Sequence, residues 1–202
     1  GFDYMQYIAP GLIMMSVITN SYSNVVSSFY GAKFQRNIEE LVVSPVPHHI
    51  ILSGFVIGGV VRGLLVGVMV TLLSLFFTHL SIHHLFVVIY SVLITSTLFA
   101  LGGFVNAVFA KSFDDISIVP TFILTPLTYL GGVFYSIDNL SPFFQTVSLF
   151  NPIVYMVNSF RFGILGVSDV DIRLSLTIMT LATIALYVYA LKLLQSGKGM
   201  KE

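Results

Sequence analysis

The chain has 202 residues, 56% of them hydrophobic and only 9% charged, and its nine basic and nine acidic side chains cancel at a mean hydropathy of +0.94. Soluble domains carry roughly 25% charged residues, so a water-soluble globule is excluded, and cations scattered singly leave no footprint for a nucleic acid. Cysteine is absent, which removes disulfides, thiolate metal sites and cysteine nucleophiles together.

The first residue is glycine, and no signal-peptide pattern of basic segment and small-residue cleavage site follows it; the expectation is a fragment. A membrane-crossing helix needs about 20 mostly apolar residues. Five stretches supply them: residues 4–28, 50–77, 85–109, 116–135 and 172–194. In the first, Ser16, Thr19, Asn20, Ser21, Ser23, Asn24, Ser27 and Ser28 crowd the second half, which is expected to face protein or water.

Between the first two spans, Phe34, Ile38, Leu41 and Val42 fall on one helical face, while Gln35, Arg36, Asn37, Glu39 and Glu40 take the other. The expected element is a short amphipathic helix, stopped by Pro45 and Pro47. Periodicity alone allows two roles, a helix lying on lipid headgroups or a docking helix for a soluble partner. The acidic pair Glu39 and Glu40 favours docking, because helices that hug anionic lipid have basic polar faces.

The second span carries Gly54, Gly58, Gly59, Gly63 and Gly67 in overlapping G-x-x-x-G spacing, the pattern of close helix packing in lipid. Arg62 lies about a dozen residues into that span, roughly 18 Å at 1.5 Å per residue. A charge at that depth costs about 2.5 to 3.5 kcal/mol on insertion scales. Snorkelling or a polar cavity with a partner would offset it. No acidic residue falls in any of the five stretches, which argues against a proton-coupled antiporter. His79 and His83 are spaced for one helical face but occupy a loop without nearby Cys, Asp or Glu, so a polar loop ending is expected rather than a metal site.

Ser112 and Asp115 form a capping pattern ahead of the fourth span. Pro120 and Pro126 should bend that span, with Thr121, Thr125 and Thr128 available to bond the freed carbonyls. Gly131 and Gly132 end it. Pro142 and Pro152 then start two short apolar helices, closed by Arg161 and the glycines at 163 and 166; such lengths suit a re-entrant or interfacial layer rather than a crossing.

Lys and Arg in short loops mark the cytoplasmic side. Lys33, Arg36, Lys111, Lys192, Lys198 and Lys201 fall on one side, against Arg161 and Arg173 on the other. The C-terminus is therefore expected in the cytoplasm and Gly1 outside, which an upstream sixth span would explain. No Walker, G-x-S-x-G or H-E-x-x-H pattern occurs, so no ATP hydrolysis or protease chemistry is expected of this chain.

The run from Arg36 through Glu39-Glu-Leu-Val-Val-Ser-Pro45, then Pro126-Leu-Thr-Tyr-Leu-Gly-Gly-Val-Phe-Tyr135, Leu149-Phe-Asn-Pro-Ile-Val-Tyr155 and Phe160-Arg-Phe-Gly163, resembles the ABC-2-type permeases, membrane subunits of bacterial ATP-driven exporters. The resemblance covers essentially the whole chain. It implies an all-α polytopic membrane helix bundle, one transmembrane domain over residues 1–202, with five transmembrane helices here and six in the full protein. A cytoplasmic amphipathic coupling helix and short re-entrant periplasmic helices complete it. It further implies an inner-membrane homodimer in the lipid bilayer, each copy docking a cytoplasmic ABC ATPase subunit that holds ATP and Mg; the permease itself binds no cofactor.

On that basis Arg36, Glu39, Glu40, Leu41, Ser44 and Pro45 are the expected ATPase-coupling residues. Asn20, Asn24, Gly59, Arg62, Gly63, Pro120 and Pro126 are expected in the pathway or its packing. Tyr135, Asn151, Pro152, Tyr155 and Arg161 are expected at a periplasmic gate. Family substrates include polysaccharides, lipid-linked glycans, drugs and haem, and these motifs select none of them. The alternative from the residues alone is an ATP-independent channel or secondary carrier, for which Arg62 and the Pro120/Pro126 kinks would have to serve.

Overall fold

Apolar runs and their punctuation set the helices. The computed structural model describes residues 3–197, apart from the side chains of Glu39 and Val42; Gly1, Lys198 and Lys201 lie outside the described residues. Helix α1 (Tyr4–Phe34) has 31 residues, about 46 Å at 1.5 Å per residue, and runs beyond the serine-rich stretch where the apolar pattern stops. Then come α2 (Asn37–Val43), α3 (His48–Ser74) and α4 (Leu85–Phe109). The next segment is α5 (Phe113–Ile118), a wide π-helical turn (Val119–Leu124) and α6 (Thr125–Tyr129). Helices α7 (Pro142–Leu149), α8 (Pro152–Leu165) and α9 (Ile172–Ser196) complete the chain. There is no strand among the described residues. By length and composition α3, α4 and α9 can cross a membrane.

Helix α1 is the centre of the bundle, packed against α3, α4 and α8. Small residues allow the approach. Gly59, Gly63 and Gly67 of α3 are buried against Val25, Ser21 and Val17 of α1, whereas Gly54 and Gly58 are exposed; only one strand of the glycine pattern is used for packing within this chain. The Phe29 ring then meets Phe55 of α3 at 5.1 Å and Phe104 of α4 at 4.5 Å, both edge-on, the arrangement that aromatic quadrupoles favour.

Proline at the first position of α7 and α8 fits a site where the missing N–H costs nothing. Gly166, with φ of 76°, closes α8. The two helices differ in environment. Helix α7 is mostly exposed, while α8 is buried along most of its length among α1, α4 and α9. The histidine segment is not helical at residues 79–84. His83 and His84 instead donate their backbone N–H groups to the Gly163 carbonyl at 2.9 and 2.8 Å, fastening the start of α4 to α8.

Candidate functional site

At one end of the bundle, α1 breaks at Gln35 and Arg36, where Arg36 takes a left-handed φ of 62°. The single apolar face expected from Phe34 to Val42 is thereby divided. Phe34 stays on α1 and packs edge-on against Phe113 of α5 at 5.3 Å, while Ile38 anchors α2 in the core. Arg36, Glu40, Leu41 and Pro45 are left exposed. The side chain of Glu39 lies outside the described residues. Ser44 stops the helix by donating its hydroxyl to the Leu41 carbonyl at 2.6 Å.

Two contacts tie that end of α1 to the rest. Lys33 Nζ donates to the carbonyls of Val108 and Ala110 at 2.9 and 2.8 Å, a cation on the negative end of the α4 dipole. Tyr30 packs edge-on against Phe113 at 5.0 Å. The end of α1 that adjoins α2 is therefore joined to both the end of α4 and α5. Sequence reasoning counted Lys33 only as a topology charge, since its partners lie 75 and 77 residues away.

The expected cap of α5 is formed. Asp115 Oδ2 accepts from the backbone N–H of Lys111 at 2.8 Å and of Ser112 at 3.1 Å, and Asp115 N–H donates to Ser112 Oγ at 3.2 Å. The Lys111 backbone bond leads in holding the Asp115 carboxyl below its ordinary range, with the Ser112 bonds and the Lys111 charge adding to it. A lowered folded value means the unfolded state binds the proton more readily, so the contribution is present above the unfolded value and lost as pH falls through the folded one. Asp115→Asn is thus expected to melt below the wild type at neutral pH, with the gap closing below about pH 4. Melts of the solubilised protein over pH check this, and a gap independent of pH would contradict it.

Pro120 and Pro126 stand in the interrupted helix as expected. Without an N–H on Pro120, the Ile116 carbonyl loses its helical donor, and Asn106 Nδ2 of α4 supplies one at 3.5 Å. Thr125 Oγ1 donates to the Pro120 carbonyl at 2.8 Å and Thr128 Oγ1 to that of Leu124 at 2.7 Å, so the hydroxyls sustain the bend as threonines in lipid do.

Along α1, Asn24 and Arg62 are brought together, with Arg62 Nη1 donating to Asn24 Oδ1 at 3.4 Å. Asn20 turns its amide back to the Ser16 carbonyl at 3.0 Å. Gly59 and Gly63 act as packing surfaces against α1.

At the other end of the bundle, the residues expected at the gate bond backbone carbonyls. Asn151 Oδ1 accepts from Ile153 N–H at 3.0 Å and its Nδ2 donates to the Leu127 carbonyl at 2.7 Å, so one side chain caps α8 and closes α6. Tyr155 donates to the Leu149 carbonyl at 2.7 Å. Pro152 is exposed, and Tyr135 borders a cavity of about 600 Å³ with Leu127, Leu130, Phe144 and Phe150.

Arg161 is fully buried. It donates Nη2 to the Gly132 carbonyl at 2.6 Å, Nη1 to the Tyr7 hydroxyl at 2.9 Å and Nε to the Tyr7 carbonyl at 3.3 Å, with its guanidinium 3.9 Å from the Tyr7 ring centroid. The Tyr7 hydroxyl donates to Asp169 Oδ2 at 3.4 Å, which also accepts from Ile137 N–H at 2.8 Å. Arg161 thus holds the start of α1 to the turn after α6, and the Tyr7 hydroxyl extends the tie to Asp169 in the loop after α8. Tyr7 and Asp169 had no signal in the sequence. No group of three or more metal-ligating His, Asp or Glu side chains exists among the described residues.

The family model of the ABC-2 type transporter matches residues 1–165. The chain belongs to the ABC-2 type transporter family. It is 57% identical over 201 residues to the inner membrane transport permease YadH of Escherichia coli strain K12, covering 100% of this chain and 78% of the relative. The same figures hold for YadH of Shigella flexneri. Nodulation protein J of Rhizobium leguminosarum bv. viciae is 22% identical over 96% of this chain and 76% of its own length. No solved structure matches the chain. As an ABC-2 permease, the protein is a membrane permease subunit of an ABC transporter.

Proposed function

We propose that this permease couples a separate cytoplasmic ATPase to export through α2, whose exposed residues Arg36, Glu40, Leu41 and Pro45, together with Glu39 and Ser44, form the docking surface. The carrying observation is the mechanical continuity at that end: Ile38 buries α2, Lys33 grips the end of α4, and Phe34 and Tyr30 grip Phe113. Closure of the ATPase would press on α2 and move the proline-bent segment behind Phe113. ATP and Mg belong to the ATPase, and the permease contributes no cofactor or chemistry.

In this reading one transmembrane domain spans residues 1–202, and residues 4–28, 50–77, 85–109, 116–135 and 172–194 make five crossings of the bacterial inner membrane. Lys33, Arg36, Lys111 and Lys192 set the cytoplasmic side and hence the C-terminus. Helices α7 and α8 form a re-entrant periplasmic gate. Two copies pair in the lipid bilayer around a pathway lined by the polar half of α1 and by the bent segment, with Asn20, Asn24 and Arg62 facing it. The share of the curated YadH relatives covered, 78%, leaves length for a sixth span.

The test is the double variant Glu39→Arg/Glu40→Arg in the full-length permease, purified from its native membrane. Loss of a stoichiometric ATPase from the pull-down, with the permease still in the membrane, is the expected result. Undiminished ATPase capture and ATP-dependent export would refute the coupling role; solute movement without ATP would favour a channel.

A further inference from the structure

Arg62 stands one residue from the midpoint of α3 (His48–Ser74), about 20 Å from either end at 1.5 Å per residue. An arginine keeps its charge in any protein environment, so a counter-charge or strong acceptor must meet it there. Its one hydrogen-bond acceptor among the described residues is the neutral amide of Asn24. Residues 4–28, 50–77, 85–109, 116–135 and 172–194 contain no Asp or Glu. A second copy carries the same stretches, so pairing brings no carboxylate from them either. A lipid phosphate is also remote, because the hydrocarbon half-thickness of about 15 Å exceeds the reach of an arginine stem.

The surroundings are open. Gly58 and Gly54 lie four and eight residues before Arg62, on the same helical face, and both are exposed. A Cβ at Gly54 would meet nothing within 4 Å, and one at Gly58 would meet only Asn24 Nδ2 at 3.5 Å. This contrasts with Gly59 and Gly63, which α1 fills. Asn20, Asn24 and Ser28 repeat at i+4 along α1. The face of α3 that carries Gly54, Gly58 and Arg62 is thus open in this chain, with the Asn24 amide beside it.

We propose that Arg62 and Asn24 seat an anionic group of the transported solute, a phosphate or carboxylate, at the middle of the membrane. The assignment rests on the permease reading above and narrows its substrate to a class with a negative head. The guanidinium fork gives two parallel N–H donors to such an oxyanion, and the Asn24 amide nitrogen stands beside it as a third donor.

The test uses the full-length permease with its ATPase in phosphatidylcholine nanodiscs, and radiolabelled dodecyl phosphate as the probe. Saturable binding above that of empty nanodiscs is expected. It should weaken roughly tenfold or more in Arg62→Gln, as loss of a charge-assisted bond implies, and recover in large part in Arg62→Lys, which restores the charge without the fork. Dodecanol should not compete. Equal binding by Arg62→Gln, or equal competition by dodecanol, would overturn the seat. Displacement of the probe by phosphatidylglycerol added to the nanodiscs would assign the seat to a lipid headgroup and overturn its assignment to a solute. If the Glu39/Glu40 reversal leaves the ATPase bound while dodecyl phosphate still binds through Arg62, the coupling reading falls and the anion seat stands.

Discussion

Replacing Arg161 by leucine is expected to lower the melting temperature of the solubilised permease by about 6–12 °C, the shift that roughly 3 kcal/mol produces in a chain of this size. The fully buried guanidinium supplies donors to the Gly132 and Tyr7 carbonyls and the Tyr7 hydroxyl. Leucine fills much of the volume but leaves these acceptors facing protein without a donor, at about 1–3 kcal/mol for each one left dry. Loss of the stacking on Tyr7 adds to this. Arg161→Lys should fall between the two, since an ammonium keeps the charge but cannot span the same acceptors. A melt of Arg161→Leu indistinguishable from wild type would show that the cation is not what holds this end together.

Two adjacent glycines of α4 should respond in opposite directions. A Cβ at Gly103 would press on the Tyr22 carbonyl and lie 3.2 Å from Val26 N and 3.3 Å from Tyr22 C, all backbone of α1. No rotamer change relieves such a contact, so the helices must separate, and overpacking of that kind costs about 1–3 kcal/mol. A Cβ at Gly102 would meet only the Tyr22 ring at 3.8 Å, ordinary contact, while the gain in helix propensity approaches about 1 kcal/mol. Gly103→Ala is therefore expected to melt below wild type and Gly102→Ala at or above it. Parallel melts that moved the two variants together would refute the close approach of α1 and α4.

Features written into consecutive residues were legible in the sequence. Pro142 and Pro152 announce the starts of α7 and α8, Ser112 and Asp115 announce the cap of α5, and the apolar runs announce α3, α4 and α9. Their causes are local, within one turn or one helix. What escaped depends on partners far along the chain. Arg161 was legible as an outer charge and a gate residue, but not as a buried tie, because the Tyr7 hydroxyl that accepts its hydrogen bond is 154 residues away. Gly103 sits in no repeated pattern comparable with that of α3, yet it brings α1 and α4 together. Five glycines in α3 also looked equivalent, although only the face shared by Gly59, Gly63 and Gly67 meets α1. Of the candidate site, helix α2 itself was readable from its amphipathic pattern. The left-handed Arg36 that separates α2 from α1 was not, since a residue without special backbone freedom carries no mark of that conformation.

The grip of Lys33 on the last carbonyls of α4 bears on the order in which the protein is made. Those carbonyls are 75 and 77 residues further along the chain, so at roughly 5–20 residues per second they leave the ribosome about 4–15 s after the lysine does. During that interval water serves the strongly hydrated ammonium. Once α4 has been synthesised, the same charge passes from water to a helix terminus. The end of α1 is thereby fastened only after α4 has been made, so this contact closes late in synthesis although its lysine is made early.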